Sequence, residues 1–365
     1  MRGRICFSVT NDLNYDQRMI RICTSLQQHG YEVLLIGRLK KVSPPLSQHT
    51  FRQKRLRCWF QNGALFYAEY NLRLFLFLLW VPVDILCAVD LDTILPNLIV
   101  SKLRRKKRVY DAHEYFTEVP EVVRRPRIQR IWARIADWAI PQFKYCYTVG
   151  DALADIMTKR YGPAFEVIRN VPVVTQRLRK SESPPPFILI YQGVLNEGRG
   201  LEVLIQAMLK LEHVELWLAG EGDLSLALRD LTSELNLHKQ VKFLGYLNPE
   251  ELRSITPQAH LGLNLLENRG LSYYYSLANK SFDYIQAGLP SLQMNFPEYS
   301  ALQEKYEVFE LLENLSIGSV VTAVNKVKPT SDRYVILKKN CHAARLELNW
   351  EKEQKKLLNF YAQID

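Results

Sequence analysis

Short apolar runs alternate with stretches whose apolar residues fall at helical spacing, and this alternation covers most of the chain. Residues 4–9 and 31–36 read as buried strands, and Ile20, Ile22, Cys23 and Leu26 between them suit a helix ending at Gly30. Strands are expected again at 84–89, 108–111 and 144–148, and helices over 95–103, 128–139 and 151–160. Asn170-Val171-Pro172 closes this pattern. The proline-rich Lys-Ser-Glu-Ser-Pro-Pro-Pro that follows cannot join a sheet, so residues 173–186 read as a linker. The alternation then restarts, with strands at 187–191, 214–219, 241–243 and 260–265 and helices over 200–209, 224–235, 249–255 and 279–286. A last helix over 349–364 carries Trp350, Leu357, Leu358 and Tyr361 on or near one face.

Strands alternating with helices predict parallel sheets covered on both faces. The expected fold is therefore α/β, with two Rossmann-like domains at 1–172 and 187–348 and a C-terminal helix (349–365) long enough to return to the first. Two such domains facing across a cleft suit an enzyme that binds a nucleotide on one side. Ligands of such sheets sit in the loops at the carboxyl ends of strands.

Composition narrows this little, except through charge. The 365 residues are 47% hydrophobic, and the six cysteines form no Cys-x-x-Cys pair, so neither a zinc site nor a disulfide framework is expected. The run at 74–83 is about half of the ~20 residues a membrane span needs. The N-terminal residues do not read as a secretory signal. A soluble protein of the cytoplasm is expected, with scope for a peripheral position on the inner face of the plasma membrane. Residues 1–170 hold 27 Lys+Arg against 15 Asp+Glu, whereas the remainder holds 21 against 23. The basic excess, including Arg104-Arg105-Lys106-Lys107-Arg108, points to an anionic partner for the first half, such as an anionic membrane surface. Nucleic acid is not expected, because no aromatic residues interleave that run.

Three loops could carry chemistry. Gln192-Gly193 through Arg199-Gly200 links a strand to a helix; its glycines allow close backbone approach, and Arg199 can fork onto phosphate oxygens. Ala219-Gly220-Glu221-Gly222-Asp223, taken alone, is a turn. Asn279-Lys280 opens a helix that stops at Gly288-Leu289-Pro290, which places Lys280 where helix amides already favour an anion. Asp283, at i+3, lies on roughly the same face and can accept two ribose hydroxyls. In the first half, Asp111-Ala112-His113-Glu114 sets an imidazole between two carboxylates just past a strand. Asp90-Leu91-Asp92 reads as a helix cap at Asp92 rather than a metal ligand pair. Neither a dinucleotide fingerprint, nor a Walker loop, nor a nucleophile elbow is present.

Together these segments resemble the GT-B glycosyltransferases, particularly the retaining family-4 (group 1) type. The most specific match is Asn279-Lys280-x-Phe282-Asp283-Tyr284-x-x-Ala287-Gly288-Leu289-Pro290, which resembles that family's donor signature. Gly193 to Gly200 resembles its phosphate loop, Ile168-Arg169-Asn170-Val171-Pro172 the end of its acceptor domain, and residues 11–18 its first loop and helix. The resemblance implies a transferase that moves a sugar from a nucleotide-sugar donor to a glycan or lipid-linked acceptor in bacterial surface polysaccharide or glycoconjugate synthesis. It also implies retention, with no metal and no resident cofactor. By the same resemblance, Arg199 and Lys280 hold the diphosphate and stabilise the departing charge, with Gly193, Ser276 and Asn279 beside them. Asp283 takes the ribose, and the backbone at Tyr246-Leu247 reads the base. His113 sits by the reacting centre, and Asn14, Asp16, Arg18 and Glu114 lie on the acceptor side. The chain departs from the family at Val194, where Arg is usual, at Asp283, which replaces a Glu, and at Tyr275, where the first Glu of a pair would fall. A nucleotide-sugar epimerase of the same fold and a non-catalytic scaffold are the competing readings.

Overall fold

The computed structural model describes residues 2–174 and 186–364. The chain divides into two compact units, Met1–Asn170 with Glu353–Asp365, and Val171–Lys352. Most of the expected linker, residues 175–185, lies outside the described residues.

The first unit begins β1 (Arg4–Ser8), α1 (Gln17–Gln28), β2 (Glu32–Leu39), β3 (Arg52–Arg57) and α2 (Gly63–Trp80). It continues through β4 (Ile85–Val89), α3 (Ile94–Leu103), β5 (Lys107–Ala112), α4 (Pro120–Val123) and α5 (Pro126–Ala139). It closes with β6 (Tyr145–Thr148), α6 (Asp151–Tyr161) and β7 (Phe165–Val167). Its seven strands lie in the order β3-β2-β1-β4-β5-β6-β7. The five residues of β4 are all buried, as an interior parallel strand requires. α1 starts where the Asp16 carboxylate accepts the Met19 N–H at 3.0 Å, an N-cap.

The second unit runs β8 (Phe187–Gln192), α7 (Leu201–Ala207), β9 (Val214–Ala219), α8 (Ser225–Glu234) and β10 (Val241–Gly245). There follow α9 (Pro249–Ile255), β11 (Leu261–Asn264), α10 (Leu271–Tyr274), α11 (Asn279–Gln286) and β12 (Ser291–Met294). α12 (Pro297–Tyr306), β13 (Phe309–Leu312), α13 (Ile317–Lys326) and α14 (Asp332–Ala344) complete it. Its strand order is β10-β9-β8-β11-β12-β13. Numbered within its own unit, the second sheet runs 3-2-1-4-5-6 and the first runs the same way with a seventh strand added after the sixth, and the pairs are parallel throughout. The direction of winding therefore reverses between β1 and β4 in one unit and between β8 and β11 in the other. Ligand loops of doubly wound sheets gather at these two places.

The last helix, α15 (Trp350–Ala362), starts in the second unit, where the Trp350 N–H donates to the Pro172 carbonyl at 2.9 Å. From Glu353 it counts with the first unit. There Leu357, Phe360 and Tyr361 are buried, the Phe360 ring 5.1 Å from Tyr147 and the Tyr361 ring 6.0 Å from Phe7. Phe360, rather than the expected Leu358, joins Trp350, Leu357 and Tyr361 as a buried apolar residue of this helix.

The structure places the basic run and the apolar stretch singled out in the sequence, and it corrects the reading of Asp92. The run at 104–108 is largely committed within its own unit. Arg104 donates to the carbonyls of Leu78 and Val81, both at 2.7 Å, and Arg108 to that of Gln142 at 2.7 Å. Lys106 pairs with Asp84, and Lys107 donates to the Ile364 carbonyl. The apolar stretch at 74–83 is the end of α2, with Leu74 and Leu78 in the core. Asp92 caps nothing: it sits inside a short 3₁₀ turn (Leu91–Thr93), and its carboxylate accepts the Thr10 hydroxyl at 2.5 Å. Burial raises its pKa to about 6.

Candidate functional site: two cations at the carboxyl edge of the second sheet

The loop after β8 follows the winding rule and is built on glycine. Gly193, Gly198 and Gly200 all have positive φ (133°, 80° and 67°). Gly193 N–H donates to Ala219 O at 2.9 Å, and Leu195 N–H to Glu221 O at 3.2 Å, so residues 219–224 are knitted to this loop. A Cβ on Gly220 would lie 1.9 Å from the Gly193 carbonyl oxygen, and one on Gly222 would lie 2.6 Å from that of Leu195. The segment that reads as a bare turn in the sequence is thus the second wall of the phosphate-loop candidate.

Lys280 enters this loop from the first turn of α11. Its Nζ stands 3.9 Å from the Tyr191 ring centroid, and a Cβ on Gly193 would be only 3.3 Å from it. Enclosure lowers the Lys280 pKa well below the lysine range; the charge of Arg199 lowers it further, and Asp283 opposes both. The Arg199 guanidinium lies 4.8 Å over the Tyr273 ring, and its Nε is enclosed without a hydrogen-bond partner. Two like charges are therefore held together at a helix N-terminus, in contact with aromatic faces. That arrangement is costly unless an anion joins it.

Asp283 is half-buried, and its Oδ2 accepts the Gln192 Nε2–H at 3.0 Å. Gln192 is itself fixed by the Thr256 hydroxyl, which donates to its Oε1 at 2.8 Å. Behind α11 the buried Tyr299 hydroxyl accepts the Ala278 N–H at 3.0 Å and the Asn264 amide at 2.9 Å, holding the entry to that helix. The Ser276 hydroxyl turns to the Tyr273 carbonyl at 2.8 Å, and Asn279 is exposed at the first position of α11. Past β10, Tyr246 is exposed and Leu247 half-buried. Glu267, the acid nearest upstream of Tyr275, pairs with Arg269, which also reaches Glu197 at 2.5 Å.

The first unit has its own cluster at the carboxyl edge of its sheet. Arg18, expected on the acceptor side, is buried with Asp111; its two terminal nitrogens lie 2.5 and 2.7 Å from the carboxylate oxygens. This bidentate pair fixes α1 to β5 instead of presenting the guanidinium to solvent. Asn14 braces the next loop, donating to Pro45 O at 2.8 Å and accepting the Ser47 N–H at 2.9 Å. Asp16 is the α1 cap. His113 is exposed, and its backbone N–H donates to Asp90 Oδ1 at 2.8 Å. Desolvation and then the Arg18 charge lower its imidazole pKa below the usual histidine value, against Asp16 and Asp111. Asp90 sits at φ 58°, and burial, with Glu114, Asp92 and Asp111 around it, raises its pKa well above the carboxylate range. Among the described residues no His/Cys/Asp/Glu group is arranged to hold a metal ion.

Sequence reasoning selected Gly193, Arg199, Lys280 and Asp283, and the structure brings all four to one edge of one sheet. It missed Tyr191, Gln192, Thr256 and Tyr273. A polar Gln closing the otherwise apolar β8 was the one signal available.

Residues 175–264 match the family Glycosyl transferases group 1. Within this sequence, 75 residues are 33% identical to an uncharacterised glycosyltransferase of Methanocaldococcus jannaschii, covering 20% of this chain and 19% of that protein. Another 29% identity over 89 residues links it to the lipopolysaccharide core biosynthesis glycosyltransferase LpsD of Rhizobium meliloti, covering 21% of this chain and 26% of that protein. The chain thus aligns with about a fifth to a quarter of the length of these curated relatives. In fold it is similar to Anabaena HepE, solved in complex with UDP and glucose: TM-score 0.79, 14% identity, 99% of this chain and 100% of that one.

Proposed function

From a chain that has the GT-B fold and, over residues 175–264, the sequence of a group 1 glycosyl transferase, we propose a glycosyltransferase that uses a nucleotide-sugar donor. The observation that carries the reading is the pairing of Arg199 and Lys280 at the glycine loop, two like charges whose mutual cost an anion relieves. In the proposed step the bond from the anomeric carbon to the diphosphate breaks, and its electron pair leaves on the phosphate oxygen. Arg199 and Lys280 meet that charge, the main demand of this chemistry. An acceptor hydroxyl oxygen forms the new bond to the same carbon, and its proton passes to the departing diphosphate or to solvent.

Asp283, steadied by Gln192, takes the ribose hydroxyls, and the Tyr246-Leu247 loop lies on the base side. A UDP-type donor is the first to try, since HepE was solved with UDP. The retaining course and the role of His113 at the transfer step rest on the resemblance of the donor signature and of the Asp111–Glu114 segment. The acceptor is assigned to the glycan or lipid-linked class, in keeping with the lipopolysaccharide role in the name of LpsD. The cation pair serves the diphosphate in place of a resident metal.

The test is a thermal-shift and calorimetric panel of UDP, GDP, ADP, CMP and dTDP. One nucleotide should stabilise the wild type, by about 2.7 kcal/mol at 100 times its dissociation constant. Lys280→Ala and Arg199→Ala should each slow transfer by roughly 10²-fold. A panel without any shift, or full activity in both variants, rejects the reading.

A further inference from the structure

The loops that leave β11, β12 and β13 line a second opening at the carboxyl edge of the second sheet. It is a cleft of about 530 Å³, lined also by Val203 of α7. Ligand pockets fall between about 300 and 1,000 Å³. Because β11, β12 and β13 are consecutive neighbours in the sheet, Leu266, Phe296 and Leu315 come together although they are far apart in the chain. With Met294 they make the apolar part of the cleft, and Glu267, Asn268, Glu313 and Asn314 make its polar part. Among the described residues that line it there is neither Lys nor Arg. A phosphate would meet two carboxylates and no cation here, the reverse of the Arg199–Lys280 site.

The polar side chains are fixed on one side and open on the other. Asn295 Nδ2–H donates to Glu313 Oε1 at 2.8 Å, and the Ser319 hydroxyl donates to Asn314 Oδ1 at 2.7 Å. One Glu313 oxygen and the Asn314 amide nitrogen remain without a partner among the described residues. The exposed Asn268 amide likewise has none. Glu267 is already paired with Arg269. The open set is therefore mixed, with donors on Asn268 and Asn314 and acceptors on Asn268 and Glu313. An ammonium brings donors only and would leave both amide nitrogens unmatched. A sugar hydroxyl both donates and accepts, and a pyranose ring adds an apolar C–H face. Phe296, whose ring is 5.3 Å from that of Tyr274, gives such a face an aromatic partner.

We propose that this cleft is a saccharide subsite that takes one pyranose unit of a glycan. The C–H face of the ring lies on Leu266, Met294 and Phe296, and its hydroxyls meet Asn268, Glu313 and Asn314. Arg199, Lys280 and Asp283 do not line it, yet it shares a wall with the phosphate loop. The Glu267 N–H donates to the Gly198 carbonyl at 3.0 Å. Tyr273 lies under Arg199, while Tyr274, the next residue, packs on Phe296. The assignment rests on the side chains of the cleft itself, so it stands or falls apart from the donor reading.

The chain has five methionines, and among the described residues only Met294 of them lines the cleft, so its methyl group is a local reporter. The experiment is NMR of the full chain labelled with carbon-13 at the methionine methyls, with Met294→Leu assigning the resonance. Methyl glycosides of glucose, galactose, mannose and N-acetylglucosamine stand in for a glycan residue. They are titrated to about 50 mM, since a single ring is expected to bind with millimolar Kd. At least one should shift the Met294 signal and leave that of the buried Met208 in place. Asn268→Ala/Glu313→Ala removes two exposed side chains, so Tm should hold. Loss of one neutral and one charged hydrogen bond should weaken glycoside binding about tenfold or more. Nucleotide affinity should be unchanged in that variant; an intact glycoside shift with a silent nucleotide panel would reject the donor reading alone. The proposal is overturned if no glycoside moves the Met294 signal, or if wild type and double variant bind equally well. It also fails if a hexanediol shifts the signal as far as the glycosides do, which would leave an apolar cleft only. Putrescine acting at lower concentration than any glycoside would assign the cleft to a cation instead.

Discussion

A lysine ammonium enclosed beside an arginine and an aromatic face is held partly against its own charge, and Lys280 is in that position. Its charged form is favoured below its lowered pKa and is lost as the pH rises through it, well before the ordinary lysine range. A diphosphate restores the charge, so binding should take up a proton on the alkaline side of that pKa. Nucleotide affinity is therefore expected to be highest at lower pH and to fall early as pH rises. Calorimetry in buffers of different ionisation heat reads the proton directly. In Lys280→Arg, which stays protonated, the uptake should vanish; affinity flat to about pH 10 in the wild type would refute the assignment. Lys280 and Asp283 are legible in the sequence because a helix start and its i+3 neighbour are local facts. Tyr191, Gln192 and Thr256 are not, because the Thr256–Gln192–Asp283 chain joins residues far apart along the polypeptide.

At the scale of elements, two glycine loops make one wall only because their backbones touch. Gly220 has φ 153°, and its Cα faces the Gly193 carbonyl. Gly220→Ala should cost about 2 kcal/mol or more, through backbone strain and overlap, and weaken nucleotide binding. Chemical unfolding and the same nucleotide titration measure both; wild-type affinity in the variant would show that the two loops act separately. Elements with a clear period, such as α1 and β8, were readable. β3 was not, because a charged edge strand shows no apolar alternation, and α2 was not, because apolar residues on both faces erase the helical period.

For the whole molecule, α15 links the two units, and its last turns complete the core of the first. Tyr361→Ala should lower the stability of that unit by about 3–5 kcal/mol, as loss of a buried aromatic ring does. In urea unfolding only the first unit's transition should shift; movement of both transitions together would contradict separate cores.

The alternation of strand and helix, the restart after residue 186, and the glycine loop and Lys280 helix start were determined by the sequence alone. Each depends on spacing, or on the conformational freedom of a residue and its near neighbours. Tertiary structure decided which charged side chains are consumed inside the fold. Arg18 is taken by Asp111, 93 residues away, and Arg104 by the end of α2. It also decided that Leu74 is core while Leu72 and Leu76 are surface. Burial and ion pairing arise from contacts between distant segments, and no local pattern of residues encodes them.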